Sequence, residues 1–147
     1  MYDKIKKDIV DALKEKNTLK LQTLRGVKGE VDLEHINKKV EINDDLIISV
    51  ISHQIKTRRE SITEFEKGNR SDLVSKTNEE ITLLQEYLPK QLDDNEIEKI
   101  LDDAFNKVNP TSNKDMGLIM REVTPLLKGK ADMGKVSGLI KERLNNL

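Results

Sequence analysis

Hydrophobic residues recur every three to four positions along almost the whole chain, and they do not alternate with polar residues. That spacing places apolar side chains on one face of an α-helix, whereas a strand would need a period of two. Asn, Asp, Gly, Ser and Pro interrupt the pattern where helices end or begin. The pattern therefore predicts an all-α fold of about four helices followed by three shorter ones.

The first four predicted helices form one unit, which we assign to residues 1–90. The strongest signal begins at Asn43, whose side chain can cap a helix, and it continues to Gly68, a typical C-terminal stop. Pro89 ends the fourth helix, because proline has no amide hydrogen to donate. The apolar residues that we expect on the buried faces are, in chain order, Ile5, Ile9, Leu13, Leu21, Leu24, Val27, Val31, Ile47, Ile51, Ile55, Ile62, Phe65, Val74, Ile81, Leu84 and Tyr87.

The three shorter helices form a second unit, which we assign to residues 91–147 as a small three-helix domain. Asp93 can cap the first of these helices, and Asp132 can cap the last. Asn109 and Pro110 form a clear break between the first and the second.

Two pairs of glycines lie inside predicted helices, at a cost of about 1 kcal/mol per glycine relative to alanine. Gly26 and Gly29 are one turn apart in the second helix, and Gly134 and Gly138 are one turn apart in the last. Small residues at that spacing often allow another helix to approach closely. We therefore expect close helix packing at these glycines, and overpacking if Gly138 becomes leucine.

Charged residues make up 36% of the chain, the formal net charge is −1 and there is no cysteine. Thiolate zinc sites, disulfides and cysteine nucleophiles are thereby excluded. We expect a cytoplasmic protein that does not insert into a membrane, because no segment approaches the roughly 20 apolar residues of a span. Basic residues cluster locally: residues 112–147 contain seven Lys and Arg against four Asp and Glu.

The chain contains no recognisable catalytic motif. His35 and His53 lack the spacing of a zinc-binding pair, and the acidic pairs lack the pattern of a calcium loop. Residues 129–135 match the GxxxxGK half of a phosphate-binding loop, but Val136 replaces the hydroxyl residue and a helix, not a strand, precedes the loop. We therefore expect no catalytic residue, no metal and no cofactor.

Basic residues remain as candidate ligands for nucleic-acid phosphates. The best candidates lie at the turn before the last helix, and a second set lies on the second and third helices; in that order they are Lys128, Lys130, Lys135, Arg25, Lys28, Lys56 and Arg58. The alternative is that these residues form solvated helix faces with intrahelical ion pairs. With so few aromatic residues, any bound nucleic acid would be recognised through phosphates and shape.

Several strings resemble the GatB/YqeY family, which includes small YqeY-type proteins and the tail domain of the B subunit of tRNA-dependent amidotransferases. They are LRGVK at residues 24–28, KTRRES at 56–61, GNRSDL at 68–73, EYLPKQL at 86–92 and KGKAD at 128–132. The resemblance covers essentially the whole chain. It implies an all-helical protein in two parts, whose C-terminal part is similar to a domain that contacts tRNA in the amidotransferase.

The resemblance also implies that the chemistry of the amidotransferase lies in other domains. The leading hypothesis is a non-catalytic tRNA-binding accessory module. One alternative is a component that supports a carbon-nitrogen ligase with glutamine as amido-N donor, with amidotransferase or aminoacyl-tRNA synthetase subunits as partners. Another is a helical protein-interaction scaffold. Any ligase activity ascribed to this chain would be inherited from the family.

Overall fold

A computed structural model describes residues 1–147 and confirms the all-α fold. There is no strand, and a short 3₁₀ turn at Asn113–Asp115 precedes the sixth helix. The helices are α1 (Tyr2–Lys14), α2 (Thr18–Lys38), α3 (Asp44–Lys67), α4 (Ser71–Gln85), α5 (Asp94–Val108), α6 (Met116–Leu127) and α7 (Met133–Asn145). The chain divides into two compact units, Met1–Leu88 and Pro89–Leu147.

The N-terminal unit packs around α3, the longest helix. The Asn43 side chain accepts a hydrogen bond from the backbone N–H of Leu46 at 2.9 Å, as its position before the helix predicts. Burying each large aliphatic side chain of this core contributes about 1.5–3 kcal/mol. The buried apolar residues are Ile5, Val27, Val31, Ile47, Val50, Ile51, Ile55, Ile81 and Leu84.

Two of the expected buried stripes differ from the structure at single positions. Helix α1 buries Ile5 and Ala12, and Leu13 is 55% exposed because it lies about 100° around the helix from Ala12. Helix α2 buries Thr23 beside Leu24, whereas the sequence pattern favoured Leu21. The expectation for Leu13 was therefore wrong, because spacing alone does not settle which of two adjacent faces meets the core.

Tyr87, just after α4, is tied to α1 within the N-terminal unit. Its hydroxyl donates a hydrogen bond to Oδ2 of Asp8 at 2.5 Å, and Nζ of Lys4 lies 5.0 Å from the centre of its ring. The hydrogen bond from Tyr87 lowers the pKa of Asp8, and burial together with this bond raises the pKa of Tyr87. The first half of the EYLPKQL string is thereby fixed to the first helix.

The C-terminal unit has its own core between α5, α6 and α7. Asp93 accepts a hydrogen bond from the N–H of Glu96 at 2.8 Å, and Asp132 accepts one from the N–H of Gly134 at 2.9 Å, so both predicted caps are present. Pro125 lies in the last turn of α6. The fully or nearly buried apolar residues are Ile97, Leu101, Ala104, Ile119, Val123, Leu127, Val136, Ile140 and Leu144.

The boundary between the compact units falls just before Pro89, whereas the sequence placed it after residue 90. The side chain of Gln91 donates to the carbonyl oxygen of Pro89 at 3.0 Å and to that of Gly129 at 2.7 Å. These bonds associate Pro89 and Lys90 with the C-terminal unit. That the two units fold separately stays a prediction.

We expect a cavity in one core to destabilise that unit alone. Leu84 and Leu101 are both fully buried, one in each core. Leu84→Ala and Leu101→Ala should each lower the free energy of unfolding of their own unit by about 2–5 kcal/mol. Hydrogen exchange followed by mass spectrometry should then show faster exchange only in the unit that carries the substitution. Faster exchange in both units would show that the chain unfolds as one cooperative body.

We expect Tyr87→Phe to lower the free energy of unfolding by about 1–3 kcal/mol at neutral pH, because it removes a hydrogen bond to a charged group. The pKa of Asp8 is lowered in the folded protein, so this stabilisation is fully present above about pH 4, the ordinary pKa of aspartate, and is lost as the pH falls through the lowered value. Urea denaturation of both proteins across this pH range measures the difference. A difference that stays constant into strong acid would contradict the role of the carboxylate.

Candidate nucleic-acid interface

The turn between α6 and α7 is a type II β-turn. The carbonyl oxygen of Leu127 accepts hydrogen bonds from the N–H groups of Lys130 at 2.9 Å and Ala131 at 3.1 Å. Lys128 has φ −58° and ψ 124°, and Gly129 has φ 76°. These angles match the two central positions of a type II turn, and the second of them requires a positive φ. Glycine is therefore needed at position 129 because an L side chain would be strained there.

The EYLPKQL and KGKAD strings meet at this turn. The Nε2 atom of Gln91 donates to the carbonyl oxygen of Gly129 at 2.7 Å, and the N–H of Leu92 donates to the carbonyl oxygen of Lys130 at 2.9 Å. The two strings are far apart in sequence but form one structural element. We refer to residues 127–131 together with Gln91 and Leu92 as the clamped turn.

The clamped turn exposes Lys128 and Lys130. Gly129 between them is buried, and its carbonyl oxygen is bonded to Gln91. Both lysines are exposed, and neither forms an ion pair within the chain. The backbone is thus fixed by hydrogen bonds while two ammonium groups remain available to an external anion.

Lys135, the third predicted contact in this region, already has a partner. Its Nζ lies 2.6 Å from Oδ1 of Asp94, and this hydrogen bond raises the pKa of Lys135. The carboxylate of Asp132 also occupies the start of α7, where it accepts from the N–H of Gly134. A phosphate at this helix end would compete with two carboxylates, so Lys135 is a weaker candidate than Lys128 or Lys130.

The second set of predicted contacts, in the N-terminal unit, also contains two residues without an ion pair and two residues with one. Arg25 and Lys56 are exposed and form no ion pair within the chain. Nζ of Lys28 lies 2.7 Å from Oδ2 of Asp32, which raises the pKa of Lys28. Arg58 is mostly buried and its Nε lies 2.9 Å from Oε2 of Glu80, so its side chain joins α3 to α4.

The C-terminal unit as a whole is electrically balanced. Residues 89–147 contain ten Lys and Arg and ten Asp and Glu. Helix α5 carries half of the acids, and α7 neutralises part of them: Lys135 pairs with Asp94, and Arg143 pairs with Glu98 and Asp102. Any attraction for a polyanion must therefore come from local groups of unpaired lysines such as the clamped turn.

Lys90 was not among the predicted contacts, although it lies within the EYLPKQL string. It is exposed, forms no ion pair within the chain and directly precedes Gln91. The sequence placed it in a connecting segment. Only the bonds of Gln91 and Leu92 to the turn reveal that the backbone of Lys90 lies beside this turn in the fold.

The helical glycines do not have the predicted role. A β-carbon built at Gly26, Gly29 or Gly138 would have no atom within 4 Å other than its own helix backbone, and at Gly134 it would meet only the Asp132 carboxylate at 3.2 Å. The expectation of close helix packing at these positions was wrong. These glycines face open space, so Gly138→Leu would not overpack the unit.

No group of three or more His, Cys, Asp or Glu side chains is arranged to hold a metal ion. None of the helices has the length and apolar character needed to cross a bilayer.

Two alanine substitutions in the C-terminal unit should have opposite effects. Gly129→Ala forces alanine into a positive φ and should lower the free energy of unfolding by about 1–2 kcal/mol. Gly138→Ala, at an open position inside α7, should raise it by up to about 1 kcal/mol through helix propensity. Thermal or urea denaturation of the two variants provides the comparison. Equal effects would contradict the assigned turn geometry.

Comparison with known proteins supports the resemblance noted in the motifs. "Altered inheritance of mitochondria protein 41, mitochondrial" from Vanderwaltozyma polyspora is 27% identical over 97% of this chain and 81% of that protein. The protein of the same name from Pyrenophora tritici-repentis is 29% identical over 95% of this chain and 78% of that protein. The one from Kluyveromyces lactis is 34% identical over 56% of this chain and 45% of that protein. A family model described as "Yqey-like protein" matches residues 2–144. The chain therefore belongs to the Yqey-like protein family.

Proposed function

We propose that this protein is a non-catalytic accessory module that binds tRNA through the phosphate backbone. The observation that carries the proposal is the clamped turn, where two unpaired lysines are held on a fixed backbone by the two most specific strings of the sequence. The similarity of the C-terminal part to the tRNA-contacting tail of the amidotransferase supports tRNA as the nucleic acid.

The physical basis of binding would be electrostatic. Each lysine that neutralises a phosphate releases condensed counterions, so affinity falls steeply as salt is added. Lysine acts as a point charge and makes no base-specific pairing at a phosphate, so the module would position tRNA without reading its sequence. The exposed Arg25 and Lys56 of the N-terminal unit are secondary contacts in this proposal.

We propose that the protein is located in a compartment that contains tRNA. The sequence predicts the cytoplasm, and the names of the relatives point to the mitochondrion as the alternative. Imaging of the tagged protein in its own cells would decide between them.

A protein-interaction scaffold is the second candidate function, with amidotransferase or aminoacyl-tRNA synthetase subunits as the expected partners. One observation favours it: Leu33 and Ile36, on the same side of α2, are 57% and 68% exposed. Singly exposed apolar residues are common on monomeric proteins, however, so this observation weighs less than the clamped turn. Support of a carbon-nitrogen ligase would be one form of this function, and copurification of ligase subunits is its test.

Replacing both unpaired lysines of the turn should weaken tRNA binding. We expect Lys128→Glu with Lys130→Glu to reduce affinity and to flatten the slope of log affinity against log salt concentration by about two units. The melting temperature should change little, since exposed charges contribute little to stability. Fluorescence anisotropy with labelled tRNA at several salt concentrations measures both quantities.

The matched control is Lys99→Glu with Lys141→Glu, which makes the same charge change at two exposed, unpaired lysines inside α5 and α7. The control protein should retain most of the affinity. Absence of tRNA binding by the wild type at low salt, or equal losses in both double variants, would refute the proposal. Binding of protein partners with an affinity that does not depend on salt concentration would instead favour the function as a protein-interaction scaffold.

A further inference from the structure

We infer that Lys90 is a third phosphate ligand and that Gln91 is its positioning residue, so that the clamped turn and the adjoining Lys90 together present three lysines from two distant segments to an RNA phosphodiester backbone. This inference rests on the proposed tRNA binding. Lys90 is a residue that the sequence pattern did not select, and the side-chain amide of Gln91 has the role of positioning it.

The hydrogen bonds of Gln91 place the backbone of Lys90 beside the turn. The Nε2 atom of Gln91 donates both to the carbonyl oxygen of Pro89 at 3.0 Å and to that of Gly129 at 2.7 Å. Lys90 lies between Pro89 and Gln91, while Gly129 lies between Lys128 and Lys130. A single amide group therefore joins the backbone on either side of Lys90 to the backbone between the other two lysines.

The backbone on both sides of Lys90 is held in place. Pro89 fixes its own φ, and the N–H of Leu92 donates to the carbonyl oxygen of Lys130 at 2.9 Å. The backbone around Lys90 is therefore anchored before and after the lysine. Ligands held on a fixed backbone lose less conformational freedom when they bind, which raises affinity without adding a contact.

The charges of the three lysines are not neutralised within the chain. Lys90, Lys128 and Lys130 are exposed and form no ion pair within the chain. The nearest carboxylates in sequence, Asp93 and Asp132, accept hydrogen bonds from N–H groups at the starts of α5 and α7. The positive ends of the helix dipoles offset part of their charge. Positive charge therefore prevails locally in a unit that is neutral overall.

The chemistry of the three lysines fits adjacent phosphates better than a single small anion. None of them is buried, so none has the enclosed geometry that a free phosphate ion needs for tight binding. A polymer with regularly spaced phosphates can engage all three ammonium groups at once, and the counterions released add to the affinity. We therefore assign the surface to a nucleic-acid backbone.

The experiment compares Lys90→Ala with Lys99→Ala, a matched loss of one exposed and unpaired lysine in the same unit. Anisotropy titrations with tRNA should give an affinity about tenfold lower at low salt for Lys90→Ala, and a salt slope flatter by about one unit. Lys99→Ala should resemble the wild type. Lys90→Arg should restore both the affinity and the slope, because it retains the charge.

The positioning role of Gln91 needs a separate variant. Gln91→Met keeps the length of the side chain but removes its hydrogen-bond donor, without changing the charge. We expect weaker tRNA binding with an unchanged salt slope, and faster hydrogen exchange at residues 130–131. In a triple variant that carries Lys90→Ala, Lys128→Ala and Lys130→Ala, the same substitution should have little further effect on binding. Additive effects would overturn the positioning role.

Failure of this inference is distinguishable from failure of the proposed function. If the wild type does not bind tRNA, the proposed function itself is refuted. A different set of results would overturn only the role of Lys90. In that case the wild type binds tRNA and the Lys128→Glu, Lys130→Glu variant binds it more weakly, but Lys90→Ala binds as well as Lys99→Ala. The turn would then bind RNA without Lys90.

Discussion

Two hydrogen bonds, from the side chain of Gln91 and the N–H of Leu92 to the carbonyl oxygens of Gly129 and Lys130, organise the part of this protein that is proposed to act. Because Gly129 is buried, its carbonyl oxygen needs a partner within the protein. The bond from Gln91 provides that partner. Together with the bond from Leu92, it also attaches the segment at Gln91 and Leu92 to the turn between α6 and α7. Residues that are far apart in sequence thereby share one rigid surface.

The electrostatics of the C-terminal unit follow from how its helices pair. Helix α5 is acidic, and the basic residues of α7 that face it are used internally: Lys135 binds Asp94, and Arg143 binds Glu98 and Asp102. What remains for an external anion is the set of lysines with no such partner. The clamped turn holds two of them on a backbone that is bonded to Gln91 and Leu92, and this combination distinguishes it from the solvated lysines along the helices.

Much of the fold could be predicted from the sequence, because its causes are local. The period of the apolar residues predicted helices throughout, and the caps at Asn43, Asp93 and Asp132 accept the hydrogen bonds expected of them. Local causes do not predict which residues are covered by other helices. Leu13 lies on an exposed face, and Gly138 faces open space, because helical spacing defines a face without stating what covers it.

The sequence by itself determined that the chain is helical, where several of its helices begin, that basic residues are its candidate ligands, and that its motifs resemble those of the family to which it belongs. Only the tertiary structure decided which basic residues are free. Lys135 meets an aspartate 41 positions away, and Gln91 meets Gly129 38 positions away. Such pairings depend on how the helices pack against each other, and packing is set by the whole core and not by the neighbours of each residue along the chain.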